Sequence, residues 1–197
     1  MTLVNQAPKV VAGAQFTAGV TKIGSEFLVN TQTASDQWTQ TITGIAGGFV
    51  VTWQDLSLTL GDSSGYSIKA QIYDLAGDKV GSEILVNTQT GGYQTYPTIA
   101  DLSGGGFVIT WQDYSKTLGD TSSSSIKAQA FTASGTRVGS EFLVNTQTAS
   151  TQFAPTVTGL GGGGFVVTWC DYSGTLGDTT APGIKGQIFD ATGAKVG

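Results

Sequence analysis

Along residues 68–74, IKAQIYD, apolar and polar positions alternate with a period of two. Ile68, Ala70 and Ile72 fall on one face, and Lys69, Gln71 and Tyr73 on the other. This is the pattern of a strand with two unlike faces. Residues 47–53, GGFVVTW, carry apolar groups on both faces, Phe49, Val51 and Trp53 against Val50. Such a run predicts a strand covered on both sides. Shorter runs, PTIADL at residues 97–102 and SEFLVN at residues 25–30, complete the set of predicted strands. Gly-, Asn-, Asp- and Ser-rich turns separate them, and little of the sequence favours helix.

Each of these runs recurs. GGFVVTW returns as GGFVITW at residues 105–111 and as GGFVVTW at 163–169, and SEFLVNTQT at Ser25 returns as SEILVNTQT at Ser82 and as SEFLVNTQT at Ser140. The SEFLVN copies are spaced 57 and 58 residues apart, whereas Phe49, Phe107 and Phe165, like Ile68, Ile126 and Ile184, are spaced 58 and 58. The missing residue lies in the first Gly turn, GIAGGF against DLSGGGF and GLGGGGF. A deletion in a turn leaves strand register intact. Residues 1–197 therefore read as one repeat domain: a partial repeat at 1–24, repeats at 25–81 and 82–139, and a third at 140–197 lacking its last strand. In the partial repeat, residues 11–16 (VAGAQF) align with the third-strand run IKAQAF at 126–131.

Tight Gly turns join the first strand to the second and the third to the fourth. Long polar segments join the second to the third and the fourth to the next first. In an antiparallel meander, alternate connections share an end, so one end is closed by hairpins and the other displays long loops. The expected fold is all-β, three four-stranded antiparallel repeats of about 58 residues, β-propeller-like. A β-trefoil-like arrangement is the alternative. The open strand edges expected at the two chain ends predict self-association.

Composition narrows the chemistry. The chain has no histidine, which removes His-dependent triads, His zinc sites and imidazole acid–base catalysis. Its net charge of −5 argues against nucleic acid as a partner. No apolar run reaches membrane-span length, so no membrane insertion is expected, and the N-terminus lacks a signal-peptide pattern. Cys170 is the single cysteine and stands where the other units have Gln54 and Gln112. It is read as a buried structural thiol.

Three sets of residues are candidates for function. The loop D-x-S-x-T-L-G-D recurs with Asp55 and Asp62, Asp113 and Asp120, and Asp171 and Asp178. Oxygen side chains at alternate positions suit calcium, and these six aspartates are the candidate ligands; turn capping is the other reading of the same residues. Trp53, Trp111 and Trp169 end the second strand, and Tyr114 and Tyr172 follow three residues later. They are candidate stacking platforms for sugar rings, although a Trp repeated at one strand position also suits a core. Glu26, Glu83 and Glu141, the only glutamates, share one repeat position. A uniform set lacks the asymmetric carboxylate pair a glycosidase needs, so loop bracing is expected and enzyme activity is not. Lys69, Lys127 and Lys185 are expected to brace neighbouring acids.

The succession GGFVVTWxD, IKGQIFDATGAKVG and SEFLVNT resembles the tandem repeats of very large bacterial secreted or surface proteins, of the haemolysin-type calcium-binding or adhesin-like class. The resemblance runs from Val11 onward and implies an extracellular or cell-surface repeat module. The nonapeptide GGxGxDxUx that binds calcium in that class is absent, so the resemblance does not carry calcium with it. The expected function is non-catalytic, multivalent binding of glycans or other surface ligands through the long polar loops. The alternative is a structural, self-assembling unit of a fibre, sheath or stalk, and a propeller-fold enzyme ranks last.

Overall fold

A computed structural model describes residues 24–180 and 182–197. It has twelve strands: β1 (Gln37–Ile45), β2 (Gly48–Asp55), β3 (Ser67–Asp74), β4 (Lys79–Leu85), β5 (Gln94–Asp101), β6 (Phe107–Asp113), β7 (Ser125–Phe131), β8 (Arg137–Leu143), β9 (Gln152–Gly159), β10 (Phe165–Asp171), β11 (Gly183–Phe189) and β12 (Lys195–Val196). They form three antiparallel meander sheets, β1-β2-β3-β4, β5-β6-β7-β8 and β9-β10-β11-β12. The aligned segment at residues 11–16 lies outside the described residues.

The sheets pack face to face. Val50, Ile68, Ala70 and Ile72 of the first sheet meet Phe107, Ile109, Trp111 and Phe131 of the second in one core. Val108, Ile126 and Ala128 on the second sheet's other face meet Phe165, Val167, Trp169 and Phe189 of the third. Both faces of the second sheet are thus buried, each against a different neighbour. First strands β1, β5 and β9 lie successively side by side, while the fourth strands make at most marginal contact with one another. Sheets that converge at their first strands and splay at their last are radial blades, and no barrel closes. This is the propeller-like arrangement rather than the trefoil-like one.

The glycine that ends each Gly run is set by a close approach. A Cβ on Gly48, Gly106 or Gly164 would collide with the carbonyl oxygen of Tyr73, Phe131 or Phe189 on the facing strand. The next residue then stacks on its register partner in the third strand. Phe49 lies on Tyr73 at 4.9 Å, Phe107 on Phe131 at 5.1 Å and Phe165 on Phe189 at 4.8 Å. Fourth-strand Phe142 tilts onto the Phe165–Phe189 pair of the next blade, at 6.5 and 5.4 Å. Phe27 holds the same relation to Phe49 and Tyr73, at 6.5 and 5.3 Å.

Three local expectations are corrected. The first strand begins at Gln94 and Gln152, three residues before the prolines taken as its start. The ladder passes Pro97 and Pro155 through a bulge, with Tyr96 and Ala154 at φ 52° and 51°; a proline needs no ladder hydrogen bond there. The fourth strand begins at Lys79 and Arg137 rather than at Ser82 and Ser140, so the third sheet already holds two residues of its own fourth strand, Lys195–Val196. Cys170 is half-buried, not buried, because its face of the third sheet meets no further blade among the described residues.

Trp111 is fully enclosed between sheets. Trp111→Ala should lower stability by about 3–5 kcal/mol in denaturant unfolding, the penalty of emptying a large core site. An unchanged midpoint would contradict the interblade packing.

Candidate functional site

The long loops are organised around buried lysines. Asp55 and Lys69 lie on one face of adjacent strands β2 and β3, and Lys69 Nζ is 2.7 Å from Asp55 Oδ1. The same ammonium donates to Ser57 Oγ and Thr59 Oγ1, each at 2.6 Å. Lys127 repeats this with Asp113 at 2.8 Å and with Ser115 and Thr117 at 2.6 Å. Lys185 does so with Asp171 at 2.8 Å, Ser173 at 2.6 Å and Thr175 at 2.5 Å. Every ion pair among the described residues runs through these three lysines.

Asp55, Asp113 and Asp171, read from the sequence as candidate calcium ligands, are each engaged by a lysine. The alternating oxygens do wrap a cation, but it is the chain's own ammonium, and a metal would have to displace it. The second aspartates serve elsewhere. Asp62 and Asp120 accept from Asn87 and Asn145 Nδ2, both at 2.9 Å, and cap Ser64 and Ser122 backbone N–H groups at 3.1 and 3.0 Å. Asp178 is exposed and accepts only a 3.5 Å bond from Thr180 N among the described residues. No group of three or more His, Cys, Asp or Glu side chains there is placed to hold a metal.

Burial alone would raise the Asp55 carboxyl; the hydrogen bond from Lys69, those from Ser57 and the lysine charge outweigh it and hold the group below its ordinary 3.8. The balance is the same at Asp171, with Lys185 and Ser173 as partners. The loops bend through left-handed residues, Leu58 and Leu60 at φ 54° and 62° and Lys116 and Leu118 at 57° and 59°. Such conformations are unfavourable for side-chain-bearing residues and persist where neighbours over-determine them.

A second network ties each loop to the next blade. Asn87 Oδ1 accepts from Ile68 N at 2.9 Å, and its Nδ2 also reaches Gln94 Oε1 of the following first strand at 3.2 Å. Asn145 acts alike on Ile126 and Gln152. Glu141 accepts from Thr88 N at 2.5 Å and Gln89 N at 3.1 Å, and Glu83 accepts from Thr31 N and Gln32 N one blade earlier. The glutamates are loop braces. Their partners, the Asn-Thr-Gln-Thr segments, are the fourth-to-first connections.

On this frame sits an aromatic cleft between the second and third blades, about 440 Å³, lined by Tyr96, Gln112, Tyr114, Thr151, Phe153 and Tyr172. Phe153 and Tyr172 stack at 5.6 Å with planes 18° apart. Gln112 Nε2 donates to the Tyr114 hydroxyl at 2.7 Å. The tyrosine backbones are pinned: Tyr114 N donates to Tyr93 O at 2.9 Å and Tyr172 N to Thr151 O at 3.0 Å. Tyr96 and Tyr172 are about half exposed, at 56% and 49%. Of the residues expected to stack on ligand, Tyr114 and Tyr172 are brought together here. Trp53, Trp111 and Trp169 are core, at most 5% exposed. The Trp53 and Trp169 indoles donate to Asp55 and Asp171 Oδ2 at 3.4 Å; Trp111 Nε1 and Asp113 Oδ2, at the same spacing, are buried without a partner. Sequence reasoning missed Tyr96 and Phe153. They sit beside the bulge of the first strand, and the proline that follows each of their segments was the available signal.

Asp55 and Lys69 give a pH prediction. A carboxyl whose folded pKa is depressed contributes stability that is complete above its unfolded value of about 3.9 and is lost as pH falls through the lower folded value. Lys69→Met should cost about 3–5 kcal/mol at neutral pH, because it strands a buried carboxylate. Burial then raises Asp55, so the deficit should shrink from roughly pH 6 to roughly pH 4 as Asp55 takes a proton. Denaturant unfolding across that range checks it, and a deficit independent of pH would contradict the pairing.

No family model matches the chain, and no curated protein does. Among solved structures, the chain is similar to an alpha-L-arabinofuranosidase from Lactobacillus brevis, at 12% identity and a TM-score of 0.47. The match covers 85% of this chain and 57% of that one, so the chain spans little more than half of that protein's length.

Proposed function

We propose that this chain is a non-catalytic module of a secreted or cell-surface protein that binds glycans through its long-loop end. The observation that carries the reading is the cleft lined by Tyr96, Tyr114, Phe153 and Tyr172, of which the three tyrosines are exposed, with Gln112 and Thr151 beside them. Sugar rings present one apolar face of C–H groups and a rim of hydroxyls. Aromatic rings receive the first and amide or hydroxyl groups the second. Rigid backbone anchoring of both tyrosines lowers the ordering penalty on binding.

The first unit offers an unequal counterpart. Leu56 stands where Tyr114 and Tyr172 stand, and exposed Trp38 lies by a smaller groove with Leu28, Val29 and Gln40. Two unlike aromatic sites on one rigid frame suit multivalent capture of a repeating polymer, where the second contact forms at high effective concentration. The carboxylates support a binding role over a hydrolytic one: Glu83 and Glu141 are engaged by backbone N–H groups, and Asp55, Asp113 and Asp171 by lysines.

Binding to a panel of immobilised neutral and acidic polysaccharides tests the proposal. Tyr114→Ala and Tyr172→Ala should each weaken binding by about tenfold. Their melting temperatures should stay near that of the parent, since both side chains are substantially exposed. A folded chain that binds none of a broad panel would sink the glycan reading and favour the structural, self-assembling one.

A further inference from the structure

One third-strand position departs from the repeat. Ile72 holds it in the first unit and Ile188 in the third, but the second unit has Ala130. At the joint between the first and second blades, the isoleucine fills space over a turn of the second blade. A Cβ on Gly135 in that turn would lie 3.0 Å from Ile72 Cδ1 and 2.7 Å from Ile84 Cδ1. Ile72 is accordingly buried.

At the joint between the second and third blades, the corresponding turn glycine is Gly193, and a Cβ there would meet nothing within 4 Å. Ala130 is half-buried where Ile72 is buried. Phe142 stands in place of Ile84, but its ring tilts onto Phe165 and Phe189 and leaves the space open. What remains is a cavity of about 360 Å³, lined by Leu102, Phe131, Val138, Phe142 and Phe165 and by glycines of three turns. Ser140 and Thr192 bring the only side-chain hydroxyls, and no charged side chain among the described residues lines it. The Thr192 hydroxyl is already given to Asp190 Oδ1 at 2.6 Å.

Empty apolar space between packed sheets lowers stability roughly in proportion to its volume, and the repeat itself holds the residue that would remove it. Water fills such space poorly, because each molecule needs about two to four polar partners. An apolar guest does not: a cavity of about 150 Å³ lined by aliphatic and aromatic side chains accepts benzene. The cavity here is more than twice that size and lies within the range of small-molecule sites, about 300–1,000 Å³. Val138 and Ser140 of β8 are exposed, so the cavity opens to solvent along that strand.

We infer that this cavity binds a small uncharged hydrophobic molecule, about the size of a fused two-ring aromatic. Phe131, Phe142 and Phe165 supply ring faces and edges for it to pack against. The turn glycines let backbone approach it closely. A charged guest would give up its hydration with no opposite charge to receive it. The exposed Ser140 hydroxyl can take one polar group of the guest. The site is built from the hairpin turns, at the opposite end of the same joint from the aromatic cleft, and is tested without any glycan.

The probe is indole, titrated into the full chain and followed by amide chemical shifts. The expected result is saturable one-to-one binding, with the shifts centred on Ala130, Phe142 and Gly193, and a melting temperature that rises with indole concentration. Ala130→Ile restores the residue of the other two units and should weaken binding by about tenfold or more. Ala130→Ile combined with Phe142→Ile carries the residue pair of the first joint and should do the same, which keeps the test valid if the longer side chain meets the Phe142 ring. Tyr172→Ala, in the aromatic cleft, should leave indole binding unchanged. A folded chain with no saturable indole binding overturns the site. Binding that survives both filled variants, or that is lost with Tyr172→Ala, overturns this cavity as its place.

Discussion

A buried lysine is the constraint on which each blade's loop end depends. Lys69 and Lys127 have no exposed side-chain surface, and Lys185 has 9%. An ammonium taken from water is tolerated only when it is paired and its protons are satisfied. Asp, Ser and Thr at alternate loop positions do both. In satisfying the charge they fix a segment of a dozen residues that would otherwise be free. The polar loop therefore has one conformation for an electrostatic reason, and the tyrosine that follows each second-strand aspartate in the later units inherits a fixed position.

The interblade joints depend on that fixed loop. Asp62 and Asp120 sit at its far end, where they hold Asn87 and Asn145. Those asparagines in turn meet the first strand of the next blade through Gln94 and Gln152. The glutamates then clamp the connecting segments from the blade beyond. Loop, connection and neighbouring blade form one polar network along the display end, while stacked phenylalanines close the hairpin end. Aromatic rings borne on such a frame are presented rather than mobile, which is the physical basis for reading the cleft as a binding surface.

Much of this was legible in the sequence. Alternation at Ile68, Ala70 and Ile72 assigned faces, the repeats assigned strand order, and loop lengths assigned the two ends. What the repeats concealed is as instructive. A reading that weights recurring positions selects Trp53, Trp111 and Trp169, which recur because packing between blades requires them. The cleft is built from Tyr96 and Phe153, which are not equivalent in the repeat and gain meaning only where unequal blades meet. The alternating loop oxygens and the bracing lysines were each legible; that they form one cluster was not. Each lysine stands fourteen residues after its aspartate in all three units, a constant separation across the long loop, and the strand register puts both on one face. Strand starts were misplaced at Pro97 and Pro155 because a proline inside a bulge resembles one that begins a strand.

A double-mutant cycle on Asp55→Asn and Lys69→Met tests the central claim most directly, with unfolding free energies measured at neutral pH. If the ammonium organises the loop through Asp55, each single variant is strongly destabilised. The double variant is then less destabilised than the sum, by a coupling of about 1–3 kcal/mol. Strict additivity of the two substitutions would contradict the account.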